Sequence, residues 1–394
     1  MVAVAAVERA ASNGGRRLAL TSVFGDPLNP QTWSGAPNNL ARALRRRGIE
    51  VAGIDAGPAR AMKLYFAMDH LARGGGAPLD GNHVRRDVSA RRFGSRVIAS
   101  ASAEHGFGAV LHTGTLDLPA RANDSVRHYL YCDHTWALAL RHRDDARGLS
   151  DPYLRRIDAL ERESYARLGH IFTFGDYVRD NLIEHYGVPA ERITTVGSGM
   201  GAIAPHNGAK DYSKPRLLFV AKHLFTSKGG RVLLEAFRLL HRARPDTDLT
   251  VVAKNPPRAA IEEPGVTVFD FVPWAKLQDL YREATILTQP MLNDPWGQVY
   301  LEAMVSRTPP LGLARNGLPE IVEDGRHGFL VPEADPRALA DSILDALSDP
   351  ARLAAMGESG QRSVLARFSW ERVAERIAKT IFTRESRAAP EAVA

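Results

Sequence analysis

One cysteine occurs in 394 residues, Cys132. A lone thiol cannot form an intramolecular disulfide framework, and such scarcity fits a reducing cytoplasm. Long hydrophobic runs are missing too. No stretch reaches the roughly 18 apolar residues that a membrane-spanning helix needs. The opening MVAVAAVERAASNGGRR lacks the basic start and unbroken apolar centre of a signal peptide, so residues 1–15 read as a disordered leader. Acidic residues are in deficit, 45 against 51 basic ones, which leaves a net charge of +6 and a pI near 9.5. That balance suits anionic partners, including nucleic acid, an anionic membrane surface or phosphorylated small molecules. Aromatics are sparse at 7% and do not interleave with the arginines. Arg45, Arg46 and Arg47, like Arg85, Arg86, Arg91 and Arg92, instead follow helix faces and read as solvated. A non-enzymatic nucleic-acid binder is disfavoured on that ground. Association with a membrane-linked acceptor stays open.

What is present is alternation. RRLALTSVFG (16–25) reads as a strand and PNNLARALRRRG (37–48) as a helix, with Leu40, Ala43 and Leu44 forming its buried stripe. Strand patterns recur at 50–55, 109–114, 128–133, 170–175 and 193–197. A segment rich in Gly, Ala and Pro (197–215) follows. The pattern then restarts, with strands at 216–222, 248–254, 266–271, 284–290, 310–314 and 328–331. Two such series imply an α/β chain of two Rossmann-like parallel-sheet domains, expected to face one another across a cleft. The expected boundaries are 16–205 and 206–368, with a helix in 369–394 returning to the first domain. Ligands of such sheets bind beyond the carboxyl ends of the strands, so chemistry is expected in those loops. The GGG at 74–76 reads as a mobile loop.

Several motifs fail on inspection. GSGMG (197–201) is not followed by a helix, as a dinucleotide fingerprint requires. TSKGGRV lacks the leading glycine of a P-loop. Asp246-Thr247-Asp248 could hold a divalent metal, but it sits in a helix-to-strand turn, where Asp is a standard residue. His128, Cys132 and His134 alternate and could share a strand face, yet no fourth zinc ligand is suggested. The expectation is therefore no bound metal.

Two segments carry more. In FVAKHLFTSKGGRVLLEAF (219–237) a strand ends at Lys222, a loop carries Lys228, and Gly229-Gly230 opens a helix, which suits a diphosphate. In LNDPWGQVYLEAM (292–304) one carboxylate, Asp294, precedes a Pro-Trp-Gly turn and another, Glu302, lies in the following helix.

Together with Gly317-Leu318-Pro319-Glu320-Ile321-Val322, these segments make residues 216–331 resemble the donor domain of retaining glycosyltransferases of the GT-B fold, family four. Ser34-Gly35-Ala36 stands where that family has a glycine-rich loop, and His134 resembles its strand-end histidine. The resemblance implies transfer of a sugar from a nucleoside diphosphate sugar, UDP ahead of GDP, to an acceptor hydroxyl, without metal or other cofactor. It implies that Glu302 accepts ribose hydroxyls and that Asp294 holds the sugar. Lys222 and Lys228 would neutralise the leaving phosphate, and His134 would position the donor sugar or an acceptor hydroxyl. Gly35, Trp296, Gly297, Gln298 and Val299 would complete the donor pocket. Three departures stand out: Asp294 for Glu, Trp296 for Phe and Lys222 for Arg. The alternative within the same fold is a sugar-nucleotide epimerase. The acceptor is not legible.

Overall fold

A computed structural model describes residues 4–5, 16–59, 62–76, 81–119, 126–142, 149–222 and 224–388. The chain divides into two compact units, Met1–Gly199 with Trp370–Ala394, and Met200–Ser369. Sequence reasoning set the division at 205/206.

The first unit is built on β1 (Val4–Ala5), β2 (Arg17–Ser22), β3 (Glu50–Asp55), β4 (Ala109–Thr113), β5 (Arg127–Cys132), β6 (His170–Thr173) and β7 (Ile193–Thr195). Their order is β1-β3-β2-β4-β5-β6-β7, and every neighbouring pair is parallel except β1 with β3. Val4 and Ala5, expected in a disordered leader, instead pair with Ile54 and Gly53, because an edge strand offers open N–H and C=O groups to any extended segment. The other residues of 1–15 lie outside the described ones. The helix Trp370–Ala388 belongs to this unit, where Arg46 pairs with Glu371 and Ile377 and Ile381 are fully buried.

Two expectations for this unit are corrected. Arg86 and Arg91 are not solvated: both are buried, because Glu161 accepts from both guanidinium groups, at 3.2 Å for Arg91. Of the glycines at 74–76, Gly74 and Gly75 are tied down. Gly75 N–H donates to the His70 carbonyl at 2.9 Å, and Ser150 Oγ donates to the Gly74 carbonyl at 3.0 Å.

The second unit carries β8 (Arg216–Lys222), β9 (Asp248–Ala253), β10 (Val266–Phe269), β11 (Ile286–Thr288), β12 (Pro310–Leu313) and β13 (Phe329–Val331), in the all-parallel order β10-β9-β8-β11-β12-β13. Its central strands are apolar on both faces because helices cover both, so β8 is buried from Leu217 to Ala221. The helix Gly230–Ala243 drives Leu233, Leu234, Phe237 and Leu240 into this core. Each such side chain contributes about 1.5–3 kcal/mol on burial.

Strand order reverses direction between β8 and β11 in the second unit, and between β2 and β4 in the first. At such a switch point the loops leaving the two strands diverge and open a crevice at the carboxyl edge. Lys222 ends β8, and Asp294 lies in the loop after β11.

Candidate functional site

Backbone bonds join the two loops at the switch point of the second unit. Met291 N–H donates to the Lys228 carbonyl and Asn293 N–H to the Ser227 carbonyl, both at 2.9 Å. Left-handed backbone concentrates here: Lys222, Gly229, Met291 and Gly297 have φ of 48°, 87°, 58° and 78°. For Lys222 and Met291 this is an uncommon conformation, held by the surrounding structure. Gly229 ends against Pro290, where a Cβ would come within 2.6 Å of the proline ring, so only glycine lets the loops close.

This closure sets Lys228 Nζ 3.4 Å from Asp294 Oδ2, with Lys228 largely buried. Asp294 Oδ1 accepts from the Gly297 N–H at 3.1 Å and the Trp296 N–H at 3.3 Å. Its carboxylate thus also builds the turn that starts the helix Gln298–Val305. The shorter Asp can fold back in this way. Glu302, one turn into that helix, is only 5% exposed, and its Oε2 accepts from Tyr281 Oη–H at 2.9 Å. Burial pushes the Glu302 carboxyl above its ordinary range, while Tyr281, Lys222 and Lys228 pull it back down. Burial lowers the Lys222 ammonium, and Glu302 and Asp294 oppose that. Lys222, Lys228, Asp294 and Glu302 therefore form one electrostatic group of two cations and two carboxylates.

The remaining second-unit candidates divide. Gly297 precedes the helix, and Gln298 and Val299 open it, so their N–H groups lie at its N-terminus. Trp296, expected at the donor, is 4% exposed, with its indole against Phe368 at 6.0 Å between ring centres. A large apolar ring is more stable packed than lining a polar pocket. Asp246 pairs with Arg244 at 3.4 Å, and Asp248 opens β9 opposite Arg216, at the amino edge of the sheet. That edge is the far one from Lys222.

In the first unit Gly35 caps the helix Ala36–Arg46 at the end of a turn with three successive positive φ values, 43° at Trp33, 56° at Ser34 and 81° at Gly35. His134 follows β5, half-buried in the loop before the helix Trp136–His142. It does not share a strand face with His128, whose Nδ1 lies 2.9 Å from His112 Nε2. Burial and the neighbouring His112 push His128 down to about 3, so it is neutral near pH 7. Cys132 faces the core, where burial raises its thiol.

Sequence reasoning missed Tyr281, which touches Glu302 across 21 positions of chain. It also missed Glu161, which accepts from the Trp136 N–H at 3.0 Å and so anchors the helix beyond His134. No spacing pattern links either pair.

Residues 38–200 match the model of Glycosyltransferase Family 4, and residues 214–349 that of Glycosyl transferases group 1. The chain belongs to family four of the glycosyltransferases. A D-inositol 3-phosphate glycosyltransferase of Corynebacterium glutamicum is 30% identical over 50% of this chain and 53% of its own length. Another, of Saccharomonospora viridis, is 26% identical over 91% of this chain and 92% of its own. Apart from such longer matches, the chain spans about half the length of the curated relatives it matches. Among solved structures, the sucrose-phosphate synthase of Thermosynechococcus elongatus superposes with a TM-score of 0.73 at 19% identity, covering 95% of this chain and 100% of that one. The fold is GT-B, two Rossmann-like units.

Proposed function

We propose that the chain transfers a sugar from a nucleoside diphosphate sugar, UDP ahead of GDP, to an acceptor hydroxyl, with retention at the anomeric carbon. The observation that carries this reading is the convergence of Lys222 at the end of β8, Lys228 and Asp294 on the two bonded loops, and Glu302 in the helix that follows, next to the N-termini of the helices Gly230–Ala243 and Gln298–Val305. Two ammonium groups and two helix ends suit a diphosphate, since point charges and helix dipoles add. Glu302 would accept hydrogen bonds from the ribose, and Asp294 from the sugar, beside the bonds it already makes. The anomeric carbon–phosphate bond breaks as the acceptor oxygen bonds to the same face, and the acceptor proton passes to the departing phosphate. The lysines stabilise the charge that builds there. His134 is assigned to a sugar or acceptor hydroxyl.

The reaction is proposed to need no metal. Two curated relatives are named for inositol 3-phosphate, so a phosphorylated polyol is the acceptor class to try first, in keeping with the +6 charge. The test is thermal unfolding with UDP, GDP and their sugars, followed by product analysis with and without acceptor in excess chelator. Stabilisation follows if the native state binds the nucleotide. No stabilisation by any nucleoside diphosphate overturns the reading, and a sugar altered without acceptor makes the protein an epimerase.

A further inference from the structure

We propose that Tyr281 is a positioning residue for nucleotide recognition: its phenol fixes Glu302 by one oxygen so that the other is presented to the ribose hydroxyls. This rests on the proposed function and goes one residue deeper. Tyr281 is fully buried near the end of the helix Trp274–Glu283, and its hydroxyl donates to Glu302 Oε2 at 2.9 Å. Oε1 takes no hydrogen bond among the described residues. It lies against Gly201, where a Cβ would collide with it. One oxygen is thus occupied by a neutral donor, while the other faces a position bare of side chain.

Tyr281 is itself held at its main chain. Its carbonyl accepts from Lys210 Nζ at 3.0 Å and from Thr308 Oγ1, which in turn accepts from Lys210. A ring fixed by the core and a carbonyl fixed by two donors leave the phenol little freedom. The donor is also chemically apt. A carboxylate buried beside an apolar core resists ionisation, and only the ionised form is a pure acceptor at both oxygens. A phenol bond to Oε2 favours that form without adding a charge. Lys222 and Lys228 are the other charged groups acting on Glu302, and they act through space.

The experiment compares the parent with Tyr281→Phe, which removes one oxygen atom. Dissociation constants are measured for UDP and for its 2′,3′-dideoxy counterpart from pH 5 to 8. The parent should bind the ribose form on the order of tenfold or more tightly than the dideoxy form. Tyr281→Phe should shrink that ratio severalfold, leave the dideoxy constant unchanged, and move the acid limit of ribose binding to higher pH. A merely structural tyrosine would weaken both ligands alike and leave the pH limit in place, and that result overturns the inference. If the parent itself does not discriminate between the two ligands, the assignment of Glu302 to the ribose fails first and the inference falls with it. Should Tyr281→Phe not fold, 3-fluorotyrosine at 281 keeps the shape with a more acidic phenol. It should move the acid limit to lower pH, and no movement overturns the proposal.

Discussion

Glu161 and Glu302 are both almost fully buried, yet their surroundings differ in kind. Around Glu161 the structure gathers Arg86, Arg91, the Tyr165 hydroxyl at 2.6 Å and the Trp136 N–H at 3.0 Å. Its oxygens are saturated by the fold. Around Glu302 there is one neutral donor, and the two lysines act at a distance. Burial without saturation is costly, and a native chain retains it mainly where something else completes the site. The first carboxylate belongs to the architecture, and the second is the one proposed to meet the ribose.

Breaking the saturated cluster should cost most. Glu161→Ala leaves two guanidinium groups without their carboxylate, and loss of one buried partner typically costs about 3–5 kcal/mol. Denaturant titration should show that loss in the first unit. Glu302→Gln should do the reverse, leaving the unfolding midpoint nearly unchanged while weakening nucleotide binding on the order of tenfold or more, as expected for lost charge-assisted bonds. Calorimetry with UDP checks it, and a destabilisation matching that of Glu161→Ala would erase the distinction.

A smaller effect concerns Lys210, whose partners are a hydroxyl and carbonyls rather than an anion. Burial pushes its ammonium down to about 7. The unfolded lysine titrates near 10.4. Between those values the unfolded chain binds more protons, so the penalty is fully present below pH 7 and stability rises as pH climbs. Lys210→Met should flatten that rise between pH 7 and 9, measured as the difference in urea midpoint from the parent.

The strand series was readable because buried parallel strands are continuous apolar runs, as in Leu217–Ala221. The proximity of Lys222, Lys228 and Asp294 was readable because all three lie at strand ends or in the loops that follow them. Direction was not readable. That Trp296 packs inward and that Arg91 is interior depend on partners distant in sequence, and that Asp294 turns one oxygen into its own turn depends on the local backbone geometry. A run of arginines looks solvated until the glutamate that faces it is known. Tyr281 was hidden for the same reason: its hydroxyl has meaning only through Glu302.

The two bonds between the loops, Met291 to Lys228 and Asn293 to Ser227, make a short zipper along the rim of the second unit. A zipper is indifferent to spelling but not to count. Leu224, half exposed at 52%, should accept almost any substitute. One residue inserted between 224 and 227, however, would slip the teeth and swing Lys228 away from Asp294. For this rim, loop length is the quantity that an engineer must hold fixed.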